Sequence, residues 1–200
     1  MTQHAADYTP PSGGFNADLY APGKLKPAVH FRLVEELERI AREAGVSVRD
    51  IAGHDYFLTE PEVEYLKGFN RVRHTGKLGI IYIGQHDPSV LNRSRSIVGA
   101  LLRNFISARM APREVLINSL FGSGGTVRGD LVAVPDFHYQ DAPVATRRAL
   151  SSWIMDRVSR GQQTVLGVPN TKVMNDLFGD AATGYMQHFN VVTGYIKNPE

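Results

Sequence analysis

Three polar positions stand at the ends of hydrophobic runs, and each could do chemistry. The run LGIIYIG ends on Gly84 and opens into QHDPSVLNRSRS; DLVAV ends at Pro135-Asp136; QTVLGV ends at Pro169-Asn170. A glycine-led polar loop between a buried strand and a helix is where parallel sheets bind phosphate, because the helix start offers free N–H groups and a positive dipole end. An acid at a strand end, such as Asp136, can reach a ligand at the same edge. A second set of donors lies on the neighbouring loops: His86, Asp87, Asp136, His138 and Asp141. Imidazole and carboxylate donors on adjacent loops suit a divalent metal, which keeps a metal-dependent α/β enzyme open as a separate reading.

The elements that must position these groups follow from periodicity. Leu78–Ile83 reads as a strand buried on both faces, typical of a parallel sheet. A long loop follows, with Pro88 blocking helix before it and Asn92 or Ser94 as the cap of a helix running from Ser96 to Arg109. Ile97, Val98, Leu101, Leu102 and Phe105 form its apolar side. Pro112 opens a further helix to Leu120, and FGSGGTVRG reads as a glycine-rich surface turn. Asp130–Val134 is a second strand and Gln163–Val168 a third. Between them lies a helix over Ala142–Ser159, with Val144, Leu150, Trp153, Ile154 and Val158 as its apolar side and Arg147, Arg148, Arg157 and Arg160 around it. Val173–Phe178 is a short helix and Phe189–Ile196 a last strand. Strands alternating with helices predict a mostly parallel sheet flanked by helices, with ligands at the strands' carboxyl ends.

Upstream, residues 1–26 are rich in Pro and Gly and read as a flexible arm. Residues 27–56 form a helical extension. Pro27–Ala44 is amphipathic, and Ala41, Gly45 and Ile51 together resemble a helix-turn-helix; a helical cap or linker is the other reading. The α/β domain spans 57–200. It opens with a helix over Thr59–Val72, with Thr59 as its cap, Pro61 in its first turn, and Glu62 and Glu64 complementing the dipole.

The chain has 200 residues, no cysteine, 42% hydrophobic residues and a formal charge of +2. This excludes disulfides, thiolate zinc sites and a thiol nucleophile. No apolar run reaches the roughly 20 residues of a membrane span, so no membrane partner is expected and a cytoplasmic location fits. The mild basic excess is compatible with nucleic acid.

Taken together the three strand ends resemble the P-loop ATPases of the AAA+ class, most closely the DnaC/IstB-like helicase loaders and transposition ATPases. The segment DLVAVPD, then APVATRRALSSWIMDR, then VSRGQQTVLGVPN carries the resemblance, with FLTEPEVEYLKGFNRVRHTGKLGIIYIG as the approach to the P-loop; it covers about 57–189. It implies a three-layer P-loop NTPase-like fold of RecA/AAA+ type, ATP with Mg²⁺ as cofactor, a replicative helicase or other replication or transposition protein and DNA as partners, and homo-oligomers. By the resemblance, Gly84 begins the phosphate loop, Asp136 takes the second acid of the acidic pair, Asn170 positions the attacking water, and Arg157 or Arg160 reaches a neighbour's nucleotide.

The chain departs from that pattern at two places. A P-loop reads G-x-x-x-x-G-K-[ST], and from Gly84 this register gives Ser89, Val90 and Leu91. A lengthened loop would instead bring Ser94, Arg95 and Ser96 to the helix start. Pro135 stands where the metal-orienting Asp belongs. Two functions therefore compete: a degenerate ATPase serving as a DNA- or helicase-binding adaptor, and an active ATP-binding helicase loader with a variant P-loop. Arg147, Arg148, Arg157 and Arg160 are the residues that would touch nucleic acid or act across a subunit boundary; otherwise they are solvated faces.

Overall fold

A computed structural model describes residues 35–52, 58–75, 77–84, 88–122, 127–137, 142–178, 184 and 186–193. The expected arm (1–26), the start of the first helix, Tyr56-Phe57, the glycines of FGSGG beyond Gly122, and residues 194–196 of the last strand lie outside them.

Five strands form one parallel sheet: β1 (Gly79–Ile83), β2 (Ala108–Met110), β3 (Leu131–Val134), β4 (Gln163–Val168) and β5 (Asn190–Thr193). Their order is β2-β3-β4-β1-β5, and every pair runs parallel, with Ile81 opposite both Leu166 and Val191. The strands form because β1, β3 and β4 are apolar on alternate positions of both faces. Ile80, Tyr82, Leu131, Ala133 and Val165 face one layer; Ile81, Val132, Val134, Leu166 and Val168 face the other. Such runs bury both sets of side chains only inside a sheet covered on both faces.

The two covering layers follow from chain direction. The path from β1 to β2 crosses to one side, while β2 to β3, β3 to β4 and β4 to β5 all step the other way. Right-handed crossovers then put their helices on opposite faces. On one face lie α3 (Glu60–Thr75) and α4 (Pro88–Arg103), which contribute Tyr65, Phe69, Val90, Ile97, Val98 and Leu101. On the other lie α5 (Arg113–Phe121), α6 (Val144–Ser159) and α7 (Thr171–Phe178), contributing Leu116, Leu150, Trp153, Ile154 and Met174. The architecture is a three-layer α/β fold of RecA-like type. No helix among the described residues is long and apolar enough to cross a membrane.

The helical extension supplies α1 (Leu37–Ala44) and α2 (Val48–Ala52), joined through a left-handed turn at Gly45. Ser47 and Asp50 cap α2 reciprocally: the Ser47 N–H donates to the Asp50 carboxylate at 2.7 Å and the Asp50 N–H to Ser47 Oγ at 3.2 Å. The pair has the expected helix-turn-helix outline, but only Val48 and Arg49 of its five-residue second helix are exposed. Asp50, Ile51 and Ala52 are buried. They lie against Gly99 of α4, where a Cβ would come within 2.2 Å of the Asp50 carbonyl oxygen. The Arg103 guanidinium closes this contact by donating to the Ile51 carbonyl at 2.9 Å. The two helices thus form a helical cap, with Ile51 on α4 and Gly45 against Met110 of β2.

The stretch after β1 corrects the expected boundaries. The helix starts at Pro88 and ends at Arg103, whereas Arg109 belongs to β2. Proline suits a first helical position because its missing N–H would be unpaired there anyway. Asn92 and Ser94, expected as caps, lie inside the helix. Sheet, α2 and α3 surround α4, so Ser94 and Ser96 are as buried as its aliphatic residues. Strand β2 is only three residues long and carries an arginine, so its sequence does not separate it from the helix before it. Val144, expected on the apolar side of α6, is exposed.

Candidate functional site at the carboxyl edge of the sheet

In an open parallel sheet, the binding crevice forms where neighbouring strands send their chains to opposite faces. Here that point lies between β1, which continues into α4 on one face, and β4, which continues into α7 on the other. Gly84 and Asn170 flank it, and Asp136 lies one strand away, beyond β4. The edge is laced together by backbone. The Gly84 N–H donates to the Val168 carbonyl at 3.0 Å, the Phe137 N–H to Gly167 at 2.7 Å, and the Ala111 N–H to Ala133 at 2.8 Å. Gly167 makes the close approach possible. A Cβ there would lie 2.0 Å from the Pro135 carbonyl oxygen and 2.8 Å from Val90 Cγ1. The three strand ends expected to converge do converge.

What those residues hold differs from the expectation. Asp136 Oδ1 accepts the Arg113 N–H at 3.1 Å. It thereby caps α5, whose own Pro112 makes no side-chain cap. Asn170 Oδ1 accepts the Val173 N–H at 3.2 Å and caps α7. Both are the orphan-donor satisfaction that helix starts require. Gly84 is exposed with φ 110°, and a Cβ there would meet nothing.

The lengthened phosphate loop does not form. Only Gln85, His86 and Asp87 separate Gly84 from α4, so Ser89, not Ser94, lies in the first helical turn. Ser94 is fully buried and Ser96 nearly so, with Arg95 between them in the helix interior. Their N–H groups lie within the helix's regular i→i−4 pattern, so Ser94, Arg95 and Ser96 do not offer the free N–H groups of a phosphate cradle.

The arginines divide in the same way. Arg157 is buried at the opposite, amino edge of the sheet. It donates to Thr164 Oγ1 at 3.0 Å, the Gln163 carbonyl at 2.6 Å, the Gly129 carbonyl at 3.2 Å and Gln162 Oε1 at 3.3 Å, and its guanidinium sits 5.4 Å from the Trp153 ring centroid. Burial pulls its pKa down to about 10, partly offset by Tyr65, Asp130 and Asp156, so it remains charged at neutral pH. Where a role across a subunit boundary or on nucleic acid was expected, its donors tie the segment just before β3 to β4. Arg160 is exposed and pairs with Asp156 at 2.8 Å. Arg148 is exposed and Arg147 half-buried, both on α6. His86, Asp87, His138 and Asp141 lie outside the described residues, and among the described residues no group of three or more His, Asp or Glu could hold a metal.

Sequence reasoning missed a buried polar cluster on the α3–α4 face. Glu62 is fully buried and pairs with Arg93 at 3.2 Å. It also accepts the Tyr82 hydroxyl, the Thr59 N–H, and the Thr59 hydroxyl at 2.8 Å. Burial, and then the Glu62 charge, push the Tyr82 phenol well above its ordinary pKa. Tyr65, likewise raised by burial, donates to Gln163 Oε1, whose amide in turn donates to the Phe69 carbonyl at 3.0 Å. Thr59-x-x-Glu62 is a capping-box spacing, which signals Glu62's local role. Nothing local signals that Arg93 and Tyr82 meet it.

No protein-family model and no curated protein matches this chain.

Proposed function

We propose that this chain is an AAA+-like protein of the helicase-loader kind that keeps the scaffold and has given up hydrolysis, serving as an adaptor for a helicase or another replication or transposition protein. One observation carries this reading: the acid and the amide at the carboxyl edge, Asp136 and Asn170, are engaged as caps of α5 and α7. The run from Gly84 to Ser96 contains no lysine. Missing charge-stabilising parts of a phosphoryl-transfer site typically cost orders of magnitude in rate each. Protein contact is favoured over DNA contact because Arg93, Arg103 and Arg157 are buried and Arg160 is ion-paired. Of the arginines on and beside α4 and α6, that leaves Arg95, Arg147 and Arg148 for a nucleic-acid backbone.

A second reading keeps nucleotide binding without turnover. It rests on the exposed Gly84 and the start of α4, which meet at the switch point, with Ser89 in the first turn. Titration calorimetry with Mg-ATP and a non-hydrolysable analogue separates the two. Heat that Ser89→Ala reduces and Arg95→Ala leaves alone supports binding at this junction. No heat at millimolar nucleotide leaves the adaptor alone. DNA binding that falls steeply between about 50 and about 200 mM salt would restore DNA as a partner.

A further inference from the structure

The buried carboxylate of Glu62 has more partners than a helix cap needs. A capping box asks it only to accept the N–H of Thr59. Here it also accepts the hydroxyl of Tyr82, the penultimate residue of β1, and the guanidinium of Arg93, in the second turn of α4. It is therefore in contact with both elements that flank the β1–α4 junction. Glu62 is fully buried, and Arg93 and Tyr82 are 5% and 4% exposed. The Arg93 guanidinium also lies 5.9 Å from the Tyr82 ring centroid, so each member of the trio touches the other two. Removing one partner from such a pair strands a buried charge, a cost larger than removing both. The rest of α4 is secured separately, by Gly99 against α2 and by Arg103 on the Ile51 carbonyl.

The geometry points to Glu62 as a positioning residue that latches the first turns of α4 and the end of β1 to the start of α3, fixing the β1–α4 junction independently of any ligand there. Its effect is local: α4 is anchored at its far end by other contacts, and β3 and α6 lie outside the latch.

Hydrogen exchange of the full chain tests this. Glu62→Gln removes the charge and keeps the shape. It is expected to speed amide exchange in 92–95 and 81–84 by about tenfold or more, while amides of β3 and α6 change by less than about twofold. Combining Glu62→Gln with Arg93→Met removes both charges and should recover most of that protection. Tyr82→Phe, which deletes one hydroxyl and serves if Glu62→Gln does not fold, should give a smaller acceleration in the same segments. An acceleration spread evenly over all five strands, or none at the junction, overturns the latch, as does a double variant no better protected than Glu62→Gln.

Discussion

The two edges of this sheet use their polar residues differently. At the amino edge, Arg157, Gln163 and Tyr65 form a buried relay from α6 through β4 to α3, so one hydrogen-bonded chain joins both helical layers. At the carboxyl edge, Asp136 and Asn170 each make one hydrogen bond to a nearby helix start and are partly or fully exposed. The amino edge is tied by side chains, because a buried guanidinium without acceptors is costly. The carboxyl edge is held instead by backbone and by the absence of a side chain at Gly167. Edge position alone thus does not tell whether a polar residue serves a ligand; its partners do.

The largest effect is expected at the amino edge. Arg157→Met takes a donor from Thr164 Oγ1 and from the Gly129 and Gln163 carbonyls and removes its stacking on Trp153, and should cost about 2–4 kcal/mol in denaturant unfolding. A variant as stable as the parent would return Arg157 to the exposed role that its place in the sequence suggested. Next comes Gly167→Ala: with 2.0 Å to the Pro135 oxygen, the turn must move, at about 1–3 kcal/mol. A neutral result would mean that the three strand ends are not packed as closely as described.

Smaller effects test the caps. Asp136→Ala should cost about 1 kcal/mol through α5, with Asp136→Asn recovering most of it, since asparagine caps as well as aspartate. Unchanged stability in Asp136→Ala would free the carboxylate for a ligand. The smallest effect lies at the end of α4. There Phe105 takes a left-handed conformation, φ 57°, with its side chain 42% exposed, where α1 and α6 use Gly45 and Gly161. Phe105→Gly should raise stability by up to about 1 kcal/mol, measured by the same unfolding.

These contrasts mark what a sequence can convey. Strands β1, β3 and β4 were legible because burial on both faces leaves an apolar run, and the convergence of Gly84, Asp136 and Asn170 followed from the parallel order. The start of α4 lies at Pro88, eight residues before the Ser96 that the apolar pattern suggests, because a helix enclosed on nearly every side shows no polar stripe to set its phase. Arg157 looked like one of four equivalent surface arginines; its burial depends on Gly129 and Thr164, far away in the chain or across a turn. The capping of α5 by Asp136 spans 23 positions and leaves no periodic trace.

We propose that an ATPase-like scaffold is kept here without its chemistry. Phosphate release from Mg-ATP by the full chain, compared with the Asp136→Asn variant, tests it most directly, because asparagine retains the cap but cannot serve as an acid or metal ligand of the same charge. Release at the buffer rate is expected for both proteins. Turnover by the parent that Asp136→Asn abolishes, without a change in stability, would contradict it.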